Sequence, residues 1–162
     1  MAEEIKAPVL EIVVDDGFKK VPIKNLHGDE IGVFYFNPTD VGIISRYNKM
    51  AETFDRVMEP LAADVPEGLT EAESVQFTLD SFAEASERLY AACNEVFGGD
   101  FAGAFFGKTD PWSPSNGRFY CEVALEMVGK FIENQFDVEV NKLNERVKKY
   151  TNRAQRRAAR KK

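Results

Sequence analysis

The stretch EIGVFYFNPTD, residues 30–40, is where the chain changes from strand to helix. Residues 30–36 are rich in the β-branched and aromatic side chains that are typical of a strand. Pro38 and its neighbours then predict the start of a helix, with Asn37 or Thr39 as the N-cap. We therefore predict an α+β fold, in which helices cover a small N-terminal antiparallel sheet.

The same sheet should include two strands upstream of this stretch. LEIVV, residues 10–14, and FKKVPIK, residues 18–24, flank the turn sequence DDG, which indicates a β-hairpin. Pro22 cannot donate a ladder hydrogen bond, so its strand should lie at an edge or be distorted. The β-region is thus predicted over about residues 9–36, as a hairpin plus one strand.

Downstream, apolar residues recur at three- and four-residue steps and predict three long helices within about residues 38–148. The first helix should end near Pro60. The second should begin at a capping box formed by Thr70 and Glu73, and should end at Gly98 in a left-handed cap.

The third helix is predicted from about residue 118 to 148 and completes a single domain, residues 1–150. Residues 151–162 are predicted to be a basic, flexible tail. Residues 142–162 hold ten Lys and Arg and one acid, a net +9, which leaves eleven bases and twenty-six acids, a net −15, in the rest of the chain. The body should therefore repel nucleic acid, whereas the tail should attract it.

The connection between the second and third helices contains GAFFGKTDPW, residues 103–112, whose letters GKT end a phosphate-binding loop. Such a loop requires glycine where Ala102 stands, and Asp110 and Pro111 follow where the phosphate-binding helix should begin. We expect an ordinary loop here, with Lys108 and Thr109 in a turn. The residues that should anchor this loop on the helices are Phe101, Phe105, Phe106 and Trp112.

Composition gives no positive case for catalysis. His27 is the only histidine and lies in a predicted turn, and the many acidic residues on the helices face away from the apolar stripes. Cys93 and Cys121 lack metal-binding spacing and are predicted to be core residues without a disulfide. We predict no catalytic residue, cofactor or metal. The sequence shows neither a signal peptide nor the roughly 20 apolar residues that span a bilayer, so an intracellular protein is expected.

Three blocks carry a resemblance to a known family. They are VPIKNLHGDEIGVFYFNPTDVGIISRYNKM, residues 21–50, ACNEVFGG, residues 92–99, and FYCEVALEMVGKFIENQ, residues 119–135. Over about residues 21–153 the chain resembles the tail assembly chaperones of long-tailed phages and prophages of Gram-positive bacteria.

The resemblance implies a non-enzymatic protein of the host cytoplasm that binds the tape measure protein. It would keep this client soluble while tail-tube subunits polymerise, and would be absent from the mature virion. The tail-tube protein and a frameshift-extended form of the chain are further implied partners.

Binding many similar helical segments weakly calls for exposed apolar strips rich in Met and aromatic residues. Apolar stripes ordinarily face their own core, so only a surplus stripe would bind a client or a second copy. The candidates are Met50, Phe54, Val57 and Met58 on the first helix and Met127, Phe131 and Phe136 on the third. The candidates for electrostatic contact are Arg153, Arg156, Arg157 and Arg160 in the tail.

Two alternatives stay open at this stage. One is another tail structural or completion protein that is retained in the particle. The other is a small nucleic-acid-binding protein that acts through the tail, which is less favoured because the tail has no interleaved aromatic residues for base stacking.

Overall fold

A computed structural model describes residues 8–160, apart from the side chain of Tyr150. A small antiparallel sheet is followed by a mostly helical body, which confirms the predicted α+β fold. In chain order the elements are β1 (Lys19–Lys24), β2 (Glu30–Phe36), α1 (Val41–Ala62), α2 (Glu71–Phe97), α3 (Phe101–Phe106), β3 (Pro114–Ser115), β4 (Arg118–Phe119) and α4 (Tyr120–Arg160).

The N-terminal sheet consists of β1 and β2, joined by a short turn. Val21 lies opposite Phe34 and Ile23 opposite Gly32, so the apolar side chains of both strands share one face. In the turn, the side-chain oxygen of Asn25 accepts hydrogen bonds from the backbone N–H groups of two later residues. The strand that contains Pro22 is an edge strand with a register irregularity, as predicted.

The prediction of a strand at residues 10–14 is wrong. These residues are exposed and unpaired, and the hairpin is formed by β1 and β2 instead. The Asp15 and Asp16 carboxylates accept hydrogen bonds from the backbone N–H groups of Gly17 and Phe18, respectively. The DDG sequence therefore makes a local side-chain turn and does not reverse the chain into a ladder.

The N-cap of α1 is Asp40, so the predicted caps Asn37 and Thr39 are wrong. The Asp40 carboxylate accepts the backbone N–H of Gly42 at 3.0 Å and pairs with Arg46 at 2.8 Å. These contacts, the Arg46 hydrogen bond above all, lower the pKa of Asp40. The Asn37 side chain accepts the Thr39 N–H one step earlier, in the turn that leads into the helix.

The end of α1 and both ends of α2 agree with the sequence, whereas the end of α4 does not. Thr70 and Glu73 form the predicted capping box, and Gly98 adopts the left-handed conformation with φ of 69°. Helix α1 includes Pro60 and ends at Ala62, close to its predicted end. Helix α4 continues to Arg160, so the described part of the predicted tail is helical.

The connection between α2 and α4 contains the short helix α3, which the sequence did not predict. Its aromatic anchors are buried as expected: Phe101 stacks on Phe105 with ring centroids 4.2 Å apart and on Phe97 at 4.6 Å. Helix α3 lies so close to β2 that a Cβ atom at Gly32 would come 2.0 Å from the backbone oxygen of Ala104. Only glycine fits there.

The core lies where the inner face of the sheet meets α1, α3, the C-terminal half of α2 and the first part of α4. Its largest fully buried side chains include Phe34, Phe36, Phe101 and Leu89. The last buried residue of α4 is Ile132, and every described side chain beyond Phe136 is exposed. At about 1.5 Å per residue, α4 therefore projects about 36 Å from the body. None of the helices described is long and apolar enough to cross a membrane.

Candidate protein-binding surfaces

An open apolar groove of about 520 Å³ lies between the N-terminal half of α1 and the middle of α4. We name it the α1–α4 groove. Its apolar lining is Ile43, Ile44, Tyr47, Ile132 and Phe136, and its charged rim is Glu126, Lys130, Glu133 and Asp137.

Gly129 lies on the α4 side of the α1–α4 groove. A Cβ atom at Gly129 would meet only the hydroxyl oxygen of Tyr47, at 3.8 Å. Burial raises the pKa of the Tyr47 hydroxyl. Ile44 is 47% exposed although it is a large aliphatic residue, which leaves apolar surface available to a partner.

Ion pairs fix the charge on the rim of this groove. The Glu126 carboxylate accepts hydrogen bonds from Lys130 at 2.7 Å and from Arg118 at 2.5 Å. These two cations hold the pKa of Glu126 at about 2, so this group is ionised throughout the neutral range. The rim therefore combines acidic and basic groups around an apolar floor.

The seven candidate residues from the sequence occupy different environments. Met50 and Val57 are buried in the core, so neither offers surface to a partner in this conformation. Phe54, Met58 and Phe131 are half-buried against the core, whereas Met127 is exposed and Phe136 lines the α1–α4 groove. Binding of a client by any of the seven stays a prediction.

Met127 and Phe131 come together at a second, smaller groove of about 200 Å³ between β1 and α4. Val21 and Ile23 of the edge strand line its other side. Among residues 8–160 no strand other than β2 pairs with β1, so this groove adjoins backbone groups that can pair with an added strand.

The first turns of α2 expose apolar residues. Val75, Leu79 and Phe82 follow one face of the helix and are exposed. Helices α1 and α2 run antiparallel, with Arg46 bonded to the carbonyl of Val96 and Arg88 bonded to that of Arg56. Since α1 ends at Ala62, it has no residues left to cover this start of α2.

A further apolar stripe lies on the projecting part of α4. Val140, Leu143 and Val147 are about half exposed, and we name them the α4 stripe. Sequence reasoning missed this stripe because charged residues dominate the segment, although its four- and three-residue spacing is visible in the sequence. Farther along, the exposed residues Arg153, Arg156, Arg157 and Arg160 share one face of the helix.

Among the described residues, no group of His, Cys, Asp and Glu side chains is arranged to hold a metal ion. Cys93 and Cys121 are free and buried, which confirms their predicted place in the core. Burial raises the pKa of Cys93 to about 12 and that of Cys121 to about 11, so both are protonated thiols at neutral pH.

Lys108 lies in a bend, where its ammonium donates to the backbone oxygen of Glu30 at 3.5 Å.

Comparisons of the chain with protein-family models, with curated proteins and with solved structures gave no match. The family suggested by the sequence blocks is therefore carried by those residues alone.

Proposed function

We propose that this protein is a non-enzymatic tail assembly chaperone of a long-tailed phage or prophage, which binds the tape measure protein and keeps it soluble. The resemblance over about residues 21–153 supports the family. The observation that carries the proposal is the α1–α4 groove, because it offers apolar lining within a charged rim on the surface of the helical body.

A groove of this kind suits an amphipathic helix. Such a helix presents apolar side chains at three- and four-residue steps, which can enter the groove while its polar face stays in water. The tape measure protein, as a long helix-rich client, would supply many such segments. The mixed rim of Glu126, Lys130 and Glu133 allows polar contact with either sign of charge beside the apolar anchors.

The expected affinity for one segment is low. Burying one large apolar side chain contributes about 1.5–3 kcal/mol, and association costs at least about 4 kcal/mol in lost freedom. Two anchors therefore give little net binding alone. Many copies on a long client, or several sites on one copy, would act together through multivalency.

Weak individual sites also suit a chaperone that must dissociate from its client during assembly. Tail-tube subunits that polymerise around the tape measure protein would displace the chaperone stepwise, which is consistent with our proposal that it is absent from the mature virion. The acidic body would limit contact with nucleic acid in the host cytoplasm, where we propose that assembly takes place. The tail-tube protein and a frameshift-extended form of this chain are the further partners that we propose.

Co-expression tests this function. The protein is produced with the largest helix-rich tail protein encoded beside it, and the soluble client recovered with the chaperone is measured. We expect Ile44→Glu, in the groove, to reduce recovery, because an ionised carboxylate cannot be buried under an apolar helix. Val65→Glu is the matched control, since Val65 is 45% exposed but lies in the linker before α2. Unchanged client solubility with and without the wild-type protein would refute the proposal.

A second candidate function, binding of nucleic acid, is favoured by the four arginines on one face of α4. Deletion of residues 152–162 should then abolish a salt-dependent affinity for DNA. Absence of DNA binding by the intact chain near physiological salt would exclude this candidate. Mass spectrometry of purified virions separates a chaperone from a structural protein that stays in the particle.

A further inference from the structure

The α4 stripe belongs to a longer repeat along the projecting helix. Apolar residues occur at positions 136, 140, 143, 147, 150 and 154, with alternating steps of four and three. This is the a and d spacing of a coiled-coil heptad. Val140, Leu143 and Val147 are 46%, 57% and 61% exposed, so the described part of the chain leaves this seam uncovered.

We propose that the seam is covered by the same segment of a second copy, so that two α4 helices form an antiparallel coiled coil centred on residue 145. In this register Leu143 lies opposite Val147 of the second copy, and the relation is repeated by the twofold axis. The next layers outward place residue 140 opposite residue 150, and residue 136 opposite residue 154. The central layer and the layer of residues 136 and 154 thus each combine two apolar residues.

Charge at the two ends of the seam determines the direction. The heptad position before Phe136 is Glu133, and the position after Ala154 is Arg157. An antiparallel pair places Glu133 opposite Arg157 of the second copy at both ends. A parallel pair would instead place Glu133 against Glu133 and Arg157 against Arg157, which is unfavourable.

One pair of flanking charges also favours the antiparallel direction. Glu139 and Arg153 occupy the same flanking position two heptads apart, and they face each other across an antiparallel pair, whereas Arg146, midway between them, faces its own counterpart at the twofold axis. Glu139 also pairs with Lys142 of its own helix, at 3.0 Å. On a larger scale, the basic end of each helix lies along the acidic base of the other, whereas parallel helices would bring two basic ends together.

The second copy fits this seam better than an unrelated helix because the segment is self-complementary. Glu133 and Arg157 are both twelve residues from the proposed centre, so one sequence provides both halves of each end pair. The overlap from residue 133 to 157 gives a seam of about 36 Å at 1.5 Å per residue. The basic end of each copy then reaches Glu133, at the rim of the α1–α4 groove.

Sedimentation velocity of the full chain over a concentration series tests the pairing. We expect a dimer in the wild type, and we expect Leu143→Asp to raise the dissociation constant on the order of 100-fold, because an ionised group would be buried in a central layer. Val138→Asp is the matched control. Val138 is 49% exposed on the same helix but lies about 140° away from Leu143 around the axis, so this variant should dimerise as the wild type does.

Two further measurements test the direction. A spin label on Gln155→Cys should lie about 30 Å along the axis from its mate in an antiparallel pair, and within about 20 Å in a parallel pair. Glu133→Arg and Arg157→Glu should each weaken the dimer, and the double variant should restore it. The native Cys93 and Cys121 are buried and do not compete for the label.

A monomer at all concentrations, a dimer unaffected by Leu143→Asp, or a short spin-label distance would each overturn this proposal. A separate client-binding assay gives one more outcome. If the wild type is monomeric and Leu143→Asp no longer binds the client, the seam is a client-binding site and the proposal of a dimer is overturned. The sedimentation and spin-label measurements contain no client, so their failure is distinguishable from failure of the chaperone function.

Discussion

Replacing Gly32 by alanine tests the closest approach in the fold, between β2 and α3. The added Cβ atom would lie 2.0 Å from the backbone oxygen and 2.9 Å from the carbonyl carbon of Ala104. Both partners are backbone, so no side-chain rotation relieves the overlap and the strand must move away from the helix. That movement would loosen the contact of Phe34 with Phe101 and Phe105, whose ring centroids lie 5.5 and 5.8 Å from that of Phe34.

The expected loss of stability follows from this geometry. Overpacking a core typically costs about 1–3 kcal/mol, and a backbone overlap belongs at the upper end, about 3 kcal/mol. For a chain of this size the midpoint of thermal unfolding should fall by about 6–12 °C. Urea unfolding followed by the fluorescence of the buried Trp112 measures the change in free energy.

Gly129→Ala is the matched control, because the substitution is identical and the space is open. Outside its own turn of helix, the nearest neighbour of the new Cβ atom is the Tyr47 hydroxyl oxygen, at 3.8 Å. Alanine within a helix should stabilise the protein by about 0.5–1 kcal/mol relative to glycine. If Gly32→Ala unfolds within about 1 kcal/mol of the wild type, our account of the contact between β2 and α3 is wrong.

Three further outcomes are expected. Thr70→Ala removes the capping box of α2 and should lower the free energy of unfolding by about 1 kcal/mol, as measured with urea. The pKa of Glu126 is lowered, so its ion pairs stabilise the fold at a pH above the ordinary pKa of a glutamate, and this contribution is lost as the pH falls towards 2. An NMR titration of the carboxyl group should give a midpoint near pH 2. Lys130→Gln should raise that midpoint. Cys93 and Cys121 should resist a thiol reagent at neutral pH until the chain unfolds, and rapid labelling of the folded protein would contradict their burial.

Local signals in the sequence predicted local structure well. The capping box at Thr70 and the left-handed Gly98 depend only on residues within one or two turns, and both occur as expected. The prediction of a strand at residues 10–14 was wrong because β-branched residues indicate a preference for extended backbone but not which strand would pair with it. The α1 cap moved to Asp40 because Arg46, one and a half turns later, fixes that carboxylate.

The candidate surfaces were harder to predict, since periodicity identifies an apolar face but not what covers it. Met50 and Val57 lie on the face of α1 that packs against the core, so they are buried. Val75 and Leu79 carry the same periodic signal, yet they are exposed because α1 ends before it reaches them. Which apolar stripe stays uncovered depends on the lengths of the packed helices and on their positions along one another, and these are properties of the tertiary structure.

The unbroken course of α4 has a mechanical consequence. The helix runs from the buried Cys121 to Arg160 without a proline, and Gly129 is its only glycine. From Gly129 to Arg160 the rise is about 46 Å, so a tilt of about 10° at the base displaces the tip by about 8 Å. The helix is thus a lever arm, in which small adjustments of packing beside the groove become large displacements at the far end.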